Sequence, residues 1–362
     1  MNSPSIESIR VGRVTVPLTR AWGPDVTSVT VLPVEVRCDD GITGYGFSWT
    51  PTIGAGAVRA MLQEDLVPWW TGRLACPSLW SEAWAHVHEA GGGGITTIAL
   101  AGIDLALWDA AARRADTNLS GMLGRRRDTL PVYGSGINLH YPIDELVAQV
   151  ERWVGAGYPA VKVKVGKPDP EEDLERMRAV RAVLGPDREL MIDANQRWDL
   201  AAAERALELL AEVRPAWIEE PLRADDLAGY RTLASRIDIP IAAGENLHTV
   251  HRFREAIDAG VSILQPNIVR VGGVTPFLEI AREVRLAGAT VAPHLLPELS
   301  AQVGFALPCE CWIEDVEDAR FADLGALDEV PGLTIAQGAV TGGPERGIGI
   351  RFTEQGSGVV AA

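Results

Sequence analysis

From residue 130 onward, short runs rich in β-branched and apolar residues alternate with longer stretches whose apolar positions recur at i, i+3 and i+4. The strand candidates are 132–135, 161–165, 190–193, 217–219, 241–244, 263–266, 290–293 and 311–314. Between them 171–184, 200–213 and 275–287 carry helical spacing. Such alternation predicts parallel strands joined by crossover helices. Eight strands within about 185 residues fit a closed barrel better than an open sheet. The seventh helix, near 298–307, is short, and no full helix follows the eighth strand.

Residues 1–127 have a different rhythm, that of a mixed α+β unit. Here 11–18 and 29–37 alternate as strands, and Asp39-Asp40-Gly41 is a hairpin-type turn. Helical spacing covers 55–70 and 96–115, and in the second stretch Ile98, Gly102, Leu105 and Trp108-Asp109 fall on neighbouring turns. Arg125-Arg126-Arg127 interrupts before Leu130-Pro131-Val132-Tyr133, which places the unit boundary after 127 and the barrel at 128–318. The triple arginine reads as a solvated linker or a subunit contact. The tail, 319–362, is rich in glycine and turns and is expected to return to the first unit.

Composition narrows the class. A chain of 362 residues has room for two domains, or one large barrel with additions. Hydrophobic residues at 47% and charged residues at 23% are ordinary for a soluble globular protein and exclude a disordered one. No apolar run reaches the roughly 18 residues a bilayer demands, and 91–107 is broken by four glycines and Asp104. Met1-Asn2-Ser3-Pro4-Ser5 lacks the basic end and apolar stretch of a secretory signal. A net charge of −16 argues against nucleic acid or anionic membrane as a partner, while a small anion can still be drawn to a few placed cations. Cys38 and Cys76 stand alone, and Cys309-Glu310-Cys311 lacks the second pair of a zinc ribbon. All four cysteines are expected to be buried and reduced, which suits a cytoplasmic protein. Gly91-Gly92-Gly93-Gly94 is no phosphate loop, since no Lys-Ser/Thr follows, and no G-x-S-x-G nucleophile elbow occurs.

The polar residues that stand out sit at the carboxyl ends of the strand candidates, where a barrel carries its active site. Asp193 ends the third strand, Glu219 the fourth, and Glu245 follows the fifth, each 26 residues after the last. An acidic residue at one strand end can simply cap the next helix. Three in register, each with Asn195, Glu220 or Asn246 beside it, form an anionic cluster that calls for a cation. Oxygen ligands alone favour Mg²⁺. Lys162 and Lys164, two apart on the second strand, point to the same side, the barrel interior. Mutual repulsion is expected to lower their pKa and make one a usable base. His294 ends the seventh strand across the barrel.

Taken together, Val161-Lys162-Val163-Lys164-Val165-Gly166, Ile192-Asp193-Ala194-Asn195-Gln196, Trp217-Ile218-Glu219-Glu220-Pro221, Gly244-Glu245-Asn246, Val271-Gly272-Gly273-Val274 and Pro293-His294 resemble the enolase superfamily, in its mandelate racemase branch. The likeness runs nearly end to end. It implies an α+β capping domain, completed by the tail, over a modified (β/α)₇β barrel. It implies Mg²⁺ held by Asp193, Glu219 and Glu245, Lys164 as base on one face of a carboxylate substrate, and Lys162 neutralising that carboxylate. Glu314, in Trp312-Ile313-Glu314, matches the acid that hydrogen-bonds the substrate carboxylate. Superfamily sites of this kind use a Lys or His base and a metal-stabilised ene-diolate.

One position departs from the pattern. Where the branch has an aspartate paired to the histidine, this chain has Asn267. Its carbonyl oxygen is expected to fix the imidazole tautomer, but a neutral partner stabilises imidazolium poorly, so His294 should be the weaker base. The balance favours dehydration, with Lys164 taking the α-proton and His294 protonating the departing hydroxyl. Racemisation or epimerisation is the alternative, and a non-catalytic carboxylate-binding relative is a remote one. Specificity is expected from the loops Trp22-Gly23-Pro24-Asp25 and Phe47-Ser48-Trp49-Thr50, which suggest a compact, partly apolar or cationic acid. That keeps a hydroxyproline-like acid beside hydroxy acids and acid sugars. Asn195, Ser135 and His140 are further candidates for the substrate site, and a homo-oligomer is expected.

Overall fold

The computed structural model describes residues 4–23, 25–343 and 345–353. Pro24 of the expected 22–25 loop, and the tail from 354, lie outside them. The chain opens with an antiparallel sheet of β1 (Ile6–Val11), β2 (Val14–Trp22), β3 (Val26–Cys38) and β4 (Thr43–Thr50). β3 is long because one of its flanks carries two strands. Its first half pairs with β2 (Val14↔Val31), its second half with β1 (Val11↔Val34), and β4 covers the other flank. The alternation read over 11–18 therefore straddles two strands. The break falls at Gly12, whose N–H donates to the Pro33 carbonyl at 2.8 Å. The stretch 55–70 is helical throughout, with a π-helical Met61–Leu66 between α-helical Ala55–Ala60 and Val67–Trp70.

The helix Ile95–Arg114 lies against this sheet, and glycine decides how closely. A Cβ on Gly44 or Gly46 of β4 would stand 2.0 Å from the Ala106 carbonyl oxygen or 2.3 Å from that of Gly102, so any larger residue would push the helix away. By length and composition this 20-residue helix could cross a membrane, but 78% of its apolar window is buried inside the fold. One side meets the sheet and the other meets the barrel. There Asp104 accepts from the Thr275 N–H at 3.1 Å, capping the barrel helix Val274–Leu286 from another domain. Gly273 (φ 112°) makes room, because a Cβ there would lie 2.2 Å from Asp104 Oδ2.

Burial pushes the Asp104 carboxyl up to about 7, against the hydrogen bonds from Thr275 and Val274. A carboxyl raised in the folded state holds a proton that the unfolded chain has lost. Its contribution is therefore intact below 3.8 and is lost progressively up to about 7. Asp104→Asn, which cannot ionise, should gain stability relative to the parent across that window, by up to about 1.4 kcal/mol per pH unit. Urea unfolding of both proteins at pH 5 and pH 8 checks this, and a difference that does not change with pH refutes it.

The barrel strands are β5 (Thr129–Ser135), β6 (Ala160–Lys164), β7 (Glu189–Asp193), β8 (Trp217–Glu219), β9 (Ile241–Ala243), β10 (Ile263–Leu264), β11 (Thr290–Val291) and β12 (Ile313–Val316). Each of the eight expected runs overlaps one of them. From β5 to β11 each strand pairs in parallel with the next, β12 pairs with β5, and a bridge between Val291 and Cys311 closes the ring. A helix follows each of the first seven strands, the last being the short Pro297–Gly304. This is an α/β fold: a (β/α)₇β barrel with an N-terminal capping domain.

After the barrel come β13 (Leu327–Glu329), β14 (Leu333–Ala336), β15 (Ala339–Gly342) and β16 (Arg351–Phe352). β15 runs antiparallel to the start of β5, at the foot of the barrel. The chain then climbs to the cap, where the Ile348 N–H donates to Asp109 at 2.6 Å and Phe352 meets Phe47 edge-on at 5.2 Å. Two expectations need correction. The triple arginine is not simply solvated: Arg127 donates to the Leu307 carbonyl at 2.8 Å, and Arg125 lies over the Phe305 ring. The cysteines are unpaired, but only Cys38 and Cys311 are buried, Cys76 and Cys309 being partly exposed.

Candidate active site

The site follows from the period of two along each strand. Tyr133, Ala160, Met191, Trp217, Ala242, Ile263 and Ala292 form an apolar layer inside the barrel, with Trp312 packed on it. Two residues further along the same strands come Ser135, Lys162, Asp193, Glu219, Gly244, Gln265, His294 and Glu314. Apolar side chains plug the barrel below, and the next ring up is almost wholly polar. Lys164 and Asn267 stand one period higher again.

Lys162, only 1% exposed, is clamped between two acids. Its Nζ lies 2.8 Å from both oxygens of Glu219 and 2.7 Å from Glu314 Oε1, with Asp193 at 3.7 Å. Burial pushes its pKa down, but Glu219 and Glu314 more than reverse this, so it stays charged. Lys164 donates to Asp193, its register partner on β7. Burial again acts downward, and Asp193, Glu219 and Glu245 together raise it. The expected lowering by lysine–lysine repulsion is present but outweighed. Asp193 outweighs the other ammonium, and Glu219 and Glu245 add to it.

Among the described residues, no three acidic, histidine or cysteine side chains already surround one point as a cation cage. Each expected ligand is held by a base: Glu219 by Lys162, Asp193 by Lys164, and Glu245 by His294 Nε2 at 3.0 Å. The donor set nevertheless suits a hard divalent ion. Asp193 and Glu219 are paired across β7 and β8, and Glu245 follows two residues after β9. Burial and the Asp193 carboxylate push Glu219 up to about 8, despite Lys162. The pocket thus carries more negative charge than its ammonium groups balance, and the Lys164 ammonium is drawn in among the carboxylates.

His294 and Asn267 are arranged otherwise than expected. Asn267 Oδ1 accepts from the N–H groups of Val269 and Arg270, both at 3.1 Å. Two main-chain donors fix the amide's orientation, which leaves its Nδ2, not its carbonyl, facing His294 Nδ1 at 3.1 Å. Nδ2 can only donate, so Nδ1 accepts and the ring proton sits on Nε2, directed at Glu245.

Other candidates turn inward to hold acids. Ser135 donates to Glu314 Oε1 at 2.8 Å, and the Leu295 N–H to Oε2 at 2.9 Å; Lys162, with burial opposing, holds the Glu314 carboxyl down at about 2. Asn195 braces Asp193 through its own N–H at 2.8 Å. Asn246 Nδ2 reaches Glu220 Oε1 at 2.9 Å and Glu245 Oε1 at 3.2 Å. His140 is exposed and edge-on to Tyr141. Trp22 and Trp49 meet edge-to-face at 6.4 Å and line a small apolar cavity with Leu295 and Leu296. The charged residue on that cavity is Arg320, which is itself paired to Asp315 at 3.5 Å and Asp323 at 2.6 Å. Sequence reasoning missed Gln265, which donates to Glu219 Oε2 at 2.6 Å, and Arg270, which holds the Asn246 side chain and the Glu245 carbonyl. The step from Gln265 to Asn267 repeats the Lys162–Lys164 spacing and was the available signal.

Comparisons with known proteins agree with this architecture. The N-terminal domain of the mandelate racemase/muconate lactonizing enzyme family matches residues 6–124, and the enolase C-terminal domain-like family matches residues 145–356. The chain is 34% identical over 316 residues to 3,6-anhydro-alpha-L-galactonate cycloisomerase of Streptomyces coelicolor, covering 85% of this chain and 88% of that one. To L-talarate/galactarate dehydratase of Salmonella typhimurium it is 36% identical, covering 81% and 74% respectively. Among solved structures, a racemase from Streptomyces coelicolor with bound magnesium superposes with a TM-score of 0.90 at 32% identity, covering 96% of this chain and 97% of that one. The chain belongs to the mandelate racemase/muconate lactonizing enzyme family of the enolase superfamily.

Proposed function

We propose that this chain removes the α-proton of a hydroxylated carboxylate, with Mg²⁺ held by Asp193, Glu219 and Glu245, and eliminates water to leave a 2-keto acid. Dehydratase and cycloisomerase relatives support an acid-sugar or smaller hydroxy-acid substrate. A proton beside a carboxylate is very weakly acidic, because its removal puts two negative charges on one small fragment. The divalent cation supplies positive charge where that dianion develops. A cation on Asp193, Glu219 and Glu245 would offset the charges that keep Lys164 protonated, leaving burial and Lys162 to lower it, and the neutral amine would then take the proton. Lys162 and Glu314 face the substrate carboxylate.

The observation that carries the reading is the Asn267 amide on His294 Nδ1. With its proton on Nε2 and Nδ1 accepting from the amide, the neutral imidazole enters the site as a hydrogen-bond donor that steadies the departing hydroxyl, which leaves as water with the proton Lys164 took from the α-carbon. A two-base racemase would need a bare Nε2 on the opposite face. Loss of water leaves the enol, whose conversion to the 2-keto acid moves one proton from oxygen to carbon, and Lys164 is again a neutral amine.

A panel of acid sugars and hydroxy acids, assayed for 2-keto acid with and without chelator, tests this. Cation-dependent keto-acid release is expected, with solvent deuterium entering from the Lys164 face alone. Asn267→Asp, which turns an acceptor towards Nδ1, should open exchange at the second face. Exchange at both faces in the parent protein, or turnover that survives exhaustive chelation, overturns the proposal.

A further inference from the structure

β5 stops short of the residue it should support. Its pairing with β6 runs Tyr133↔Ala160, Gly134↔Val161 and Ser135↔Lys162, and then β5 ends while β6 continues to Lys164. On the other flank β7 stays paired as far as Lys164↔Asp193. A parallel ladder would leave the Lys164 N–H without a partner on the β5 side. Asn138, fully buried in the loop after β5, fills that place: its Oδ1 accepts from the Lys164 N–H at 3.0 Å.

The amide is itself fixed from several sides. Its Nδ2 donates to Gln149 Oε1 at 2.8 Å, and Gln149 donates in turn to Glu317 at 2.6 Å. Gly136 clears the way, because a Cβ there would lie 2.7 Å from Gln149 Oε1 and 2.8 Å from Asn138 Nδ2. The buried guanidinium of Arg176 donates to the Asn138 carbonyl at 2.8 Å and reaches the Lys164 carbonyl at 3.4 Å. Asn138 and Arg176 thus grip Lys164 at its main-chain N–H and carbonyl, not at its ammonium.

We infer that Asn138 is the positioning residue for Lys164: its side chain replaces the missing rung of the strand ladder and sets the direction from which the ammonium enters the site. The inference rests on Lys164 being the proton-abstracting group. A base held an ångström from its place can lose about 100-fold in rate, so the effect falls on the chemical step and leaves binding alone.

The test compares Asn138→Leu, which keeps the volume and removes the acceptor, with Asn138→Asp, which keeps an acceptor at the same atom. Each is measured per folded molecule with whichever panel acid the parent turns over fastest. Asn138→Leu is expected to lower kcat at least tenfold, leaving KM and the Kd for Mg²⁺ within twofold, and to speed amide exchange at Lys164. Asn138→Asp is expected to stay within threefold of the parent in kcat. Should Asn138→Leu not fold, Asn138→Ala takes its place in the comparison. An unchanged kcat in the Leu variant, unchanged Lys164 amide protection, or an Asp variant as impaired as the Leu one overturns the inference. If Lys164→Ala keeps full exchange activity, it is the proposed function that fails, and the amide-protection result still decides the structural claim.

Discussion

Lys164→Ala should abolish almost all turnover, by about 10²- to 10⁴-fold, the range for loss of a positioned proton-transfer group. Divalent-cation binding should not weaken. In the structure the Lys164 ammonium sits on Asp193 and is drawn by Glu219 and Glu245, so it competes for the very carboxylates proposed as ligands. Removing it leaves those oxygens freer. Titration calorimetry with Mg²⁺ alone and α-proton exchange in deuterated solvent separate the two effects. Retained exchange would remove Lys164 from the mechanism. A weakened cation site would make the lysine structural.

Glu219→Gln is expected to act through the cation. Glu219 is wholly buried and holds Lys162 with both oxygens while accepting from Gln265. The amide loses the charge that binds a divalent ion, and Mg²⁺ affinity should fall by more than the 10- to 100-fold typical of losing an outer partner. The stability signature is sharper. At a hundred times its Kd, an ion that binds only the folded state stabilises by about 2.7 kcal/mol, so Mg²⁺ should raise the melting temperature of the parent and not that of the variant.

The metal-free proteins should differ in pH dependence as well. Glu219 is raised from 4.5 to about 8, so the folded parent holds a proton that the unfolded chain has lost. Its contribution is complete below 4.5 and fades as pH rises to about 8. Glu219→Gln lacks that decline, and Mg²⁺ should suppress it in the parent. Melting curves at pH 5 and 8, with chelator or with Mg²⁺, measure all of this. Equal responses to Mg²⁺ in both proteins would count against the ligand assignment.

Much of this site could be read from one dimension. The strands of the barrel are short, apolar and regularly spaced, and a residue that ends one of them is bound to face the same mouth as its counterparts. Asp193, Glu219 and His294 are legible for that reason: each lies two positions beyond an apolar residue of the inner layer. Lys162 and Lys164 follow from the same period. Their protonation was not legible. It depends on how many carboxylates surround each ammonium, and those carboxylates come from β7, β8 and β12.

Ser135 and Asn195 show a second limit. Both were read as facing substrate, yet the Ser135 hydroxyl donates to Glu314, and Asn195 turns both its main-chain N–H and, at 3.5 Å, its Nδ2 to Asp193. A polar side chain beside a buried carboxylate must satisfy it before it can serve anything else. Asn267 shows a third. Its identity was plain, but which end of the amide meets the histidine was decided by two main-chain N–H groups of the turn that follows it.

The chain by itself determined the barrel, its cap, and the set of acids and bases gathered at the mouth, because side-chain direction along a strand depends only on parity. Tertiary structure alone decided which partner each group takes: Asn138 standing in for a rung that β5 lacks, Asp104 capping a helix of another domain, and an amide nitrogen turned towards His294. A hydrogen bond is set by distance and angle between atoms brought together from remote parts of the sequence, and no local pattern contains that information.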